Sequence, residues 1–88
     1  MSRYIVALDP AAKRELASFQ KPDQRRILSA IESLAEMPRP VGCTKLSGFG
    51  DIWRIRVGVY RIIYRIEDRR LVVQVIRIGH RREVYRGL

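Results

Sequence analysis

Eighty-eight residues, 47% of them apolar, suffice for one domain with a single modest core and are too few for two. The lone Cys43 excludes an internal disulfide and, without companion ligands, a zinc site. Eighteen Lys and Arg against nine Asp and Glu leave a net charge of +9 and an isoelectric point near 10.8, the balance of a chain that seeks polyanions. No stretch approaches the ~18 apolar residues of a membrane span. The opening MSRYIVALDP is interrupted by Asp9 and Pro10 too soon for a secretory segment, so a cytoplasmic location is the expectation.

In chain order, YIVAL (Tyr4 to Leu8) predicts a short apolar strand. Asp9 is expected to cap a helix with Pro10 in its first turn, carrying Ala12, Leu16 and Phe19 at helical spacing and ending near Gln20. Pro22 opens a second helix, whose stripe of Ile27, Ile31 and Leu34 is flanked by Leu28, Ala30 and Ala35 and terminated by Pro38 and Pro40. VGCTKLSGFGD then reads as a glycine-containing loop.

DIWRIRVGVYRIIYRI reads as a hairpin with a two-residue turn at Gly58 and Val59, Gly58 supplying the positive φ that a type II′ turn needs first. That turn sets Val57 against Tyr60, Ile55 against Ile62 and Trp53 against Tyr64, a coherent apolar face. The opposite face places Arg56 directly across from Arg61, with Arg54 beside Ile63 and Arg65 near Ile52. After EDRR, with Glu67 expected opposite Arg70, LVVQVIRI forms a third strand that sets Tyr64 against Val73 and Ile62 against Val75 and brings Gln74 and Ile76 to the Arg61 face. Gly79 is expected to end it. The predicted fold is α+β: strand, helix, helix and a three-strand meander forming a small, mostly antiparallel sheet, with both helices on one face and residues 1–88 as one domain. The arginine face is left open.

The basic excess is concentrated in the second half, where residues 45–88 hold eleven basic and four acidic side chains against seven and five in residues 1–44. Only Lys13, Lys21 and Lys45 are lysines, so the cationic surface is mostly guanidinium, which grips phosphate as a bidentate fork and stacks on bases. RIGHRREVYRGL adds His80, Arg81, Arg82, Glu83 and Tyr85 near the end of the strand beside Arg61. Surrounding guanidiniums favour a neutral His80, the form that a general base requires. Without a carboxylate cluster to hold a metal, the set resembles a metal-independent ribonuclease site, with Arg54, Arg56, Lys45, Arg65 and Arg82 as phosphate contacts.

These residues also carry a family pattern: Leu46 and Gly48; Trp53-Arg54-Ile55-Arg56; Gly58-Val59-Tyr60-Arg61-Ile62-Ile63-Tyr64; Gly79-His80-Arg81; Glu83-Val84-Tyr85. The chain resembles the RelE toxins of toxin-antitoxin modules. The resemblance implies an mRNA interferase that works in the ribosomal A site against mRNA and 16S rRNA and needs no cofactor. It also implies a RelB-like antitoxin with acidic residues and an amphipathic helix, operator DNA being bound only through the antitoxin complex. Arg61 then matches the arginine that stabilises the pentacoordinate phosphate, Arg81 the one near the leaving oxygen, and Tyr85 the tyrosine that stacks on or assists the substrate base. Arg54 and Arg56 stand where relatives carry lysines, which leaves His80 as first candidate for the base, with Glu83 and Tyr85 behind it. Two other readings fit the composition: a ParE-like poison of DNA gyrase, and a module that binds nucleic acid without cleaving it.

Overall fold

The two-residue turn at Gly58 and Val59 sets the centre of the sheet. In the computed structural model, which describes residues 3–80, Gly58 takes φ +60° and the flanking strands β3 (Ile52–Val57) and β4 (Tyr60–Glu67) pair in the expected register, Val57 with Tyr60 through Ile52 with Arg65. Around them stand β1 (Ile5–Leu8), α1 (Pro10–Ser18), α2 (Lys21–Ser33), β2 (Thr44–Lys45) and β5 (Val72–His80). The strand order is β1-β5-β4-β3-β2, antiparallel except for β1, which lies parallel to β5. The fold is α+β, with Ala12, Ile27, Ile31 and Leu34 of the helical half buried against Ile55, Ile62, Tyr64, Ile66, Val73, Val75 and Ile78 of the sheet.

Local expectations are met with adjustments. Asp9 occupies the N-cap position of α1 with Pro10 behind it, but its carboxylate does not cap the helix; it accepts a hydrogen bond from Gln74 Nε2 on β5. α1 stops at Ser18, and Gln24 of α2 donates to the carbonyls of Phe19 at 2.7 Å and Ala17 at 3.2 Å, satisfying acceptors that a helix end leaves open. α2 ends at Ser33, before the prolines, because the chain tightens into three-residue hydrogen bonds from Leu34 to Ile31 and Ala35 to Glu32. Leu34 and Ala35 remain buried, whereas the flanking Leu28 is exposed. The loop before β3 contains β2, whose two residues pair with Arg54 and Trp53.

The β4–β5 register differs from the expected one. Glu67 pairs with Val72, so Asp68 to Leu71 form a four-residue connection in which Leu71 adopts φ +53°. Tyr64 meets Val75, Ile63 meets Arg77 and Ile62 meets Ile78, leaving Ile76 as the extra residue of a β-bulge. Side-chain parity on β5 therefore changes at Ile76. Nor is the face away from the helices bare, since Ile52 and Ile63 are buried there with Leu46 and Ile76 packed on them.

The longer turn is held from a distance. Asp68 accepts hydrogen bonds from Tyr4 Oη at 2.6 Å and from Arg39 Nη1 and Nη2 at 3.2 and 2.8 Å, joining the start of β1, the loop after α2 and the β4–β5 turn. The Arg39 guanidinium, and after it Tyr4, holds the Asp68 carboxyl at about 2, against an ordinary value of 3.8. A carboxyl depressed by folding stabilises above its unfolded value and loses that contribution as pH falls through its folded one. Asp68→Asn should thus be less stable than wild type near neutrality, with the gap closing between pH 3.8 and about 2 in denaturant melts. A gap independent of pH would remove the charge from the explanation. Gly58→Ala, which forces a Cβ into the left-handed region 3.1 Å from Arg26 Nη2, should cost about 1–2 kcal/mol in the same melts.

Candidate nucleic-acid interface

Strand alternation brings Arg54 and Arg56 of β3 and Arg61 and Arg65 of β4 to the face away from the helices. Arg56 and Arg65 are exposed, while Arg54 and Arg61 are half-buried. Arg56 and Arg61 stand directly opposite each other at the turn end of the hairpin, and together with Gly58, Val59 and Tyr60 they line a cleft of about 160 Å³. That is roughly five times the ~30 Å³ share of one water, room for a phosphate group. Arg54 Nη2 donates to Thr44 Oγ1 at 3.2 Å, so β2 steadies the neighbouring guanidinium on β3. The buried Ile63 between the arginines lowers the local dielectric and strengthens their attraction for an anion.

Other predicted site residues lie elsewhere. His80 is the last residue of β5 and pairs with Tyr60, its ring edge-on to the Tyr60 ring at 6.0 Å. Tyr60 packs on Phe19 at 4.6 Å and donates to Asp23 Oδ2 at 3.0 Å, which raises the pKa of its hydroxyl. His80 is thus on the helix side of the sheet. The cause is the bulge at Ile76: in an unbroken strand His80 would share the face of Gln74 and Arg61, and the extra residue turns it to the other. Lys45 pairs with Trp53 and sits over that ring, its Nζ 5.8 Å from the centroid and 4.0 Å from Asp51 Oδ1, also away from the arginine face. Arg81, Arg82, Glu83 and Tyr85 lie outside the described residues. Sequence reasoning missed Thr44 as a partner of Arg54 and the Asp23–Tyr60 bond behind Arg61; the latter spans 37 positions and has no local signal.

Residues 6–85 match the family model described as the ParE toxin of the type II toxin-antitoxin system parDE. The chain belongs to this toxin family. Within it the similarity runs to RelE toxins. The chain is 31% identical to Toxin RelG of Mycobacterium tuberculosis over 94% of its own length and 97% of that protein's. It is 29% identical to the mRNA interferase toxin RelE of Escherichia coli K12, covering 93% and 90% of the two chains. Its fold matches the RelE chain in the archaeal RelE–RelB complex from Pyrococcus horikoshii with a TM-score of 0.81 at 29% identity, over 91% and 97% of the two chains. This is a RelE-type toxin of a type II toxin-antitoxin system, and among its described residues no helix is long and apolar enough to cross a membrane.

The register sets Arg56 and Arg61 as like charges directly across the ladder. Like charges directly across a ladder are destabilising by ~0.2–1 kcal/mol, and screening weakens the effect as salt rises. Arg56→Gln should therefore raise the stability of the free toxin by about that amount in low-salt urea melts, the gain shrinking at high salt. A gain unaffected by salt would trace the change to packing.

Proposed function

We propose that this toxin is a metal-independent endoribonuclease that cleaves mRNA codons in the ribosomal A site. The observation that carries the reading is the Arg56–Arg61 pair flanking an open cleft on the sheet face that the helices leave free. In the reaction the 2′-hydroxyl oxygen bonds to the adjacent phosphorus and the bond from phosphorus to the 5′-oxygen breaks. The 2′-proton passes to a base, and the leaving oxygen takes one up. Negative charge builds on the phosphoryl oxygens in between, and preorganised guanidiniums stabilise it. Arg61 meets that charge; Arg54, Arg56 and Arg65 hold the flanking backbone. By the family pattern Arg81 serves the leaving oxygen, Arg82 adds a phosphate contact and Tyr85 stacks on the base. Arginine cannot give up its proton to act as base. With the His80 ring turned toward Tyr60, the proton goes to Tyr85 or water, and His80 supports the strand end.

The solved relative from Pyrococcus horikoshii is a complex with RelB, which supports an antitoxin partner here as well. Its chemistry follows from the surface: acidic residues for the arginine face and an amphipathic helix for apolar surface, with mRNA and 16S rRNA as the partners of the released toxin and the cytoplasm as its place of work. A second reading, poisoning of DNA gyrase, is favoured by the ParE description of the matching family model. Purified toxin assayed in parallel on mRNA-programmed ribosomes and on gyrase supercoiling separates them. Cut mRNA with unaffected supercoiling is the expected result, and the converse assigns the toxin to gyrase. Arg61→Ala should lower single-turnover cleavage by ~10² or more while ribosome association weakens far less. Equal losses in both would reduce Arg61 to a backbone contact.

A further inference from the structure

Beyond Val75 no strand among the described residues lies beside the outer edge of β5. β1 ends where Leu8 pairs with Val75, and the Asp9 N–H closes that ladder on the Val75 carbonyl at 2.8 Å. From Arg77 to His80, β5 is paired, among the described residues, on its β4 side only. α1 passes along this edge, and Glu15 reaches across it. Its Oε1 accepts the Ile78 backbone N–H at 2.9 Å; its two oxygens accept Arg77 Nε at 3.2 and 3.1 Å, and Oε2 accepts Nη2 at 2.9 Å. Both side chains are only about a quarter exposed, so these charge-assisted bonds are partly shielded from water.

The direction of one N–H carries the argument further. Successive residues of an antiparallel strand point their N–H and C=O groups to alternate sides. Ile78 points to Glu15, so Gly79 points to β4, where its partner is Arg61. Fixing Ile78 fixes the Gly79–Arg61 pair, and two residues further along the chain comes Arg81. We propose that Glu15 is a positioning residue for the phosphate site: its carboxylate replaces the missing edge strand and holds the end of β5 in register behind Arg61. The proposal rests on the endonuclease reading above. It predicts an effect on rate out of proportion to any effect on binding, since displacement of a reacting arrangement by ~1 Å costs up to ~10²-fold.

The test compares the full wild-type chain with Glu15→Ala, which removes every acceptor, and Glu15→Gln, which keeps an oxygen for the Ile78 N–H. Single-turnover cleavage on mRNA-programmed ribosomes should fall ~10-fold or more at saturation in Glu15→Ala, with the half-saturating ribosome concentration nearly unchanged, and Glu15→Gln should recover much of the rate. Amide exchange should quicken at Ile78, Gly79 and Arg61 and not at Ile27 or Ile31. A wild-type rate in Glu15→Ala, or a loss carried wholly by half-saturation, overturns the proposal. If exchange quickens throughout Glu15→Ala, the variant is globally destabilised and Glu15→Gln decides: cleavage rate and protection at Ile78, Gly79 and Arg61 that are kept or lost together support the proposal, and one lost without the other overturns it. If the wild-type chain does not cut mRNA, the endonuclease reading fails and the exchange measurement decides the clamp: quickening confined to the β5 end and Arg61 supports it, and unchanged or uniform exchange overturns it.

Discussion

Two guanidiniums face each other across one ladder because the other face of the same hairpin must be buried. Ile55, Ile62 and Tyr64 are enclosed under the helices, and each such side chain is worth about 1.5–3 kcal/mol. The repulsion between Arg56 and Arg61 is worth about 0.2–1 kcal/mol. Slipping the register by one residue to separate the arginines would turn the whole apolar set to solvent, so burial decides. The Gly58 turn then leaves no alternative pairing, and the cationic pair is a consequence of the core behind it.

The same competition explains the irregularity next to it. Continuing β5 without interruption past Val75 would put Arg77 among the buried helix-facing side chains and Ile78 on the outer face. The bulge at Ile76 reverses this: Ile78 enters the core and Arg77 meets Glu15 at the edge, while Ile76 stays with Ile52 and Ile63 on the arginine face. One extra residue thus completes the core without taking Ile76 from the apolar floor of the arginine face. It also carries His80 away from Arg61.

How much of this could be read from the chain depends on how local the determinants are. The β3–β4 hairpin was fully legible, because alternation and Gly58 are contained within sixteen residues and agree. The β4–β5 hairpin was not: its turn is anchored by Asp68 bonds to Arg39 and Tyr4, 29 and 64 positions away, and its bulge answers to packing under α1. β2 was missed because Thr44 and Lys45 are exposed and show no apolar alternation; only β3 makes them a strand. Of the candidate site, the arginines of β3 and β4 followed from simple parity, whereas Lys45 and His80 depended on an unseen strand and an unseen bulge.

What steadies the arginine pair therefore comes from behind it. Tyr60, next to Arg61, sends its hydroxyl to Asp23, which also pairs with Arg26 at 3.1 Å, and the Arg26 guanidinium lies against Gly58. Phe19 and His80 close on the Tyr60 ring. The turn between the two arginines is thereby tied to α2 by groups that never reach the outer face. On the proposed endonuclease reading, a phosphate arriving there would meet donors whose backbone is already in place, with little reorganisation left when charge develops, which is the condition under which fixed dipoles and charges stabilise a transition state most.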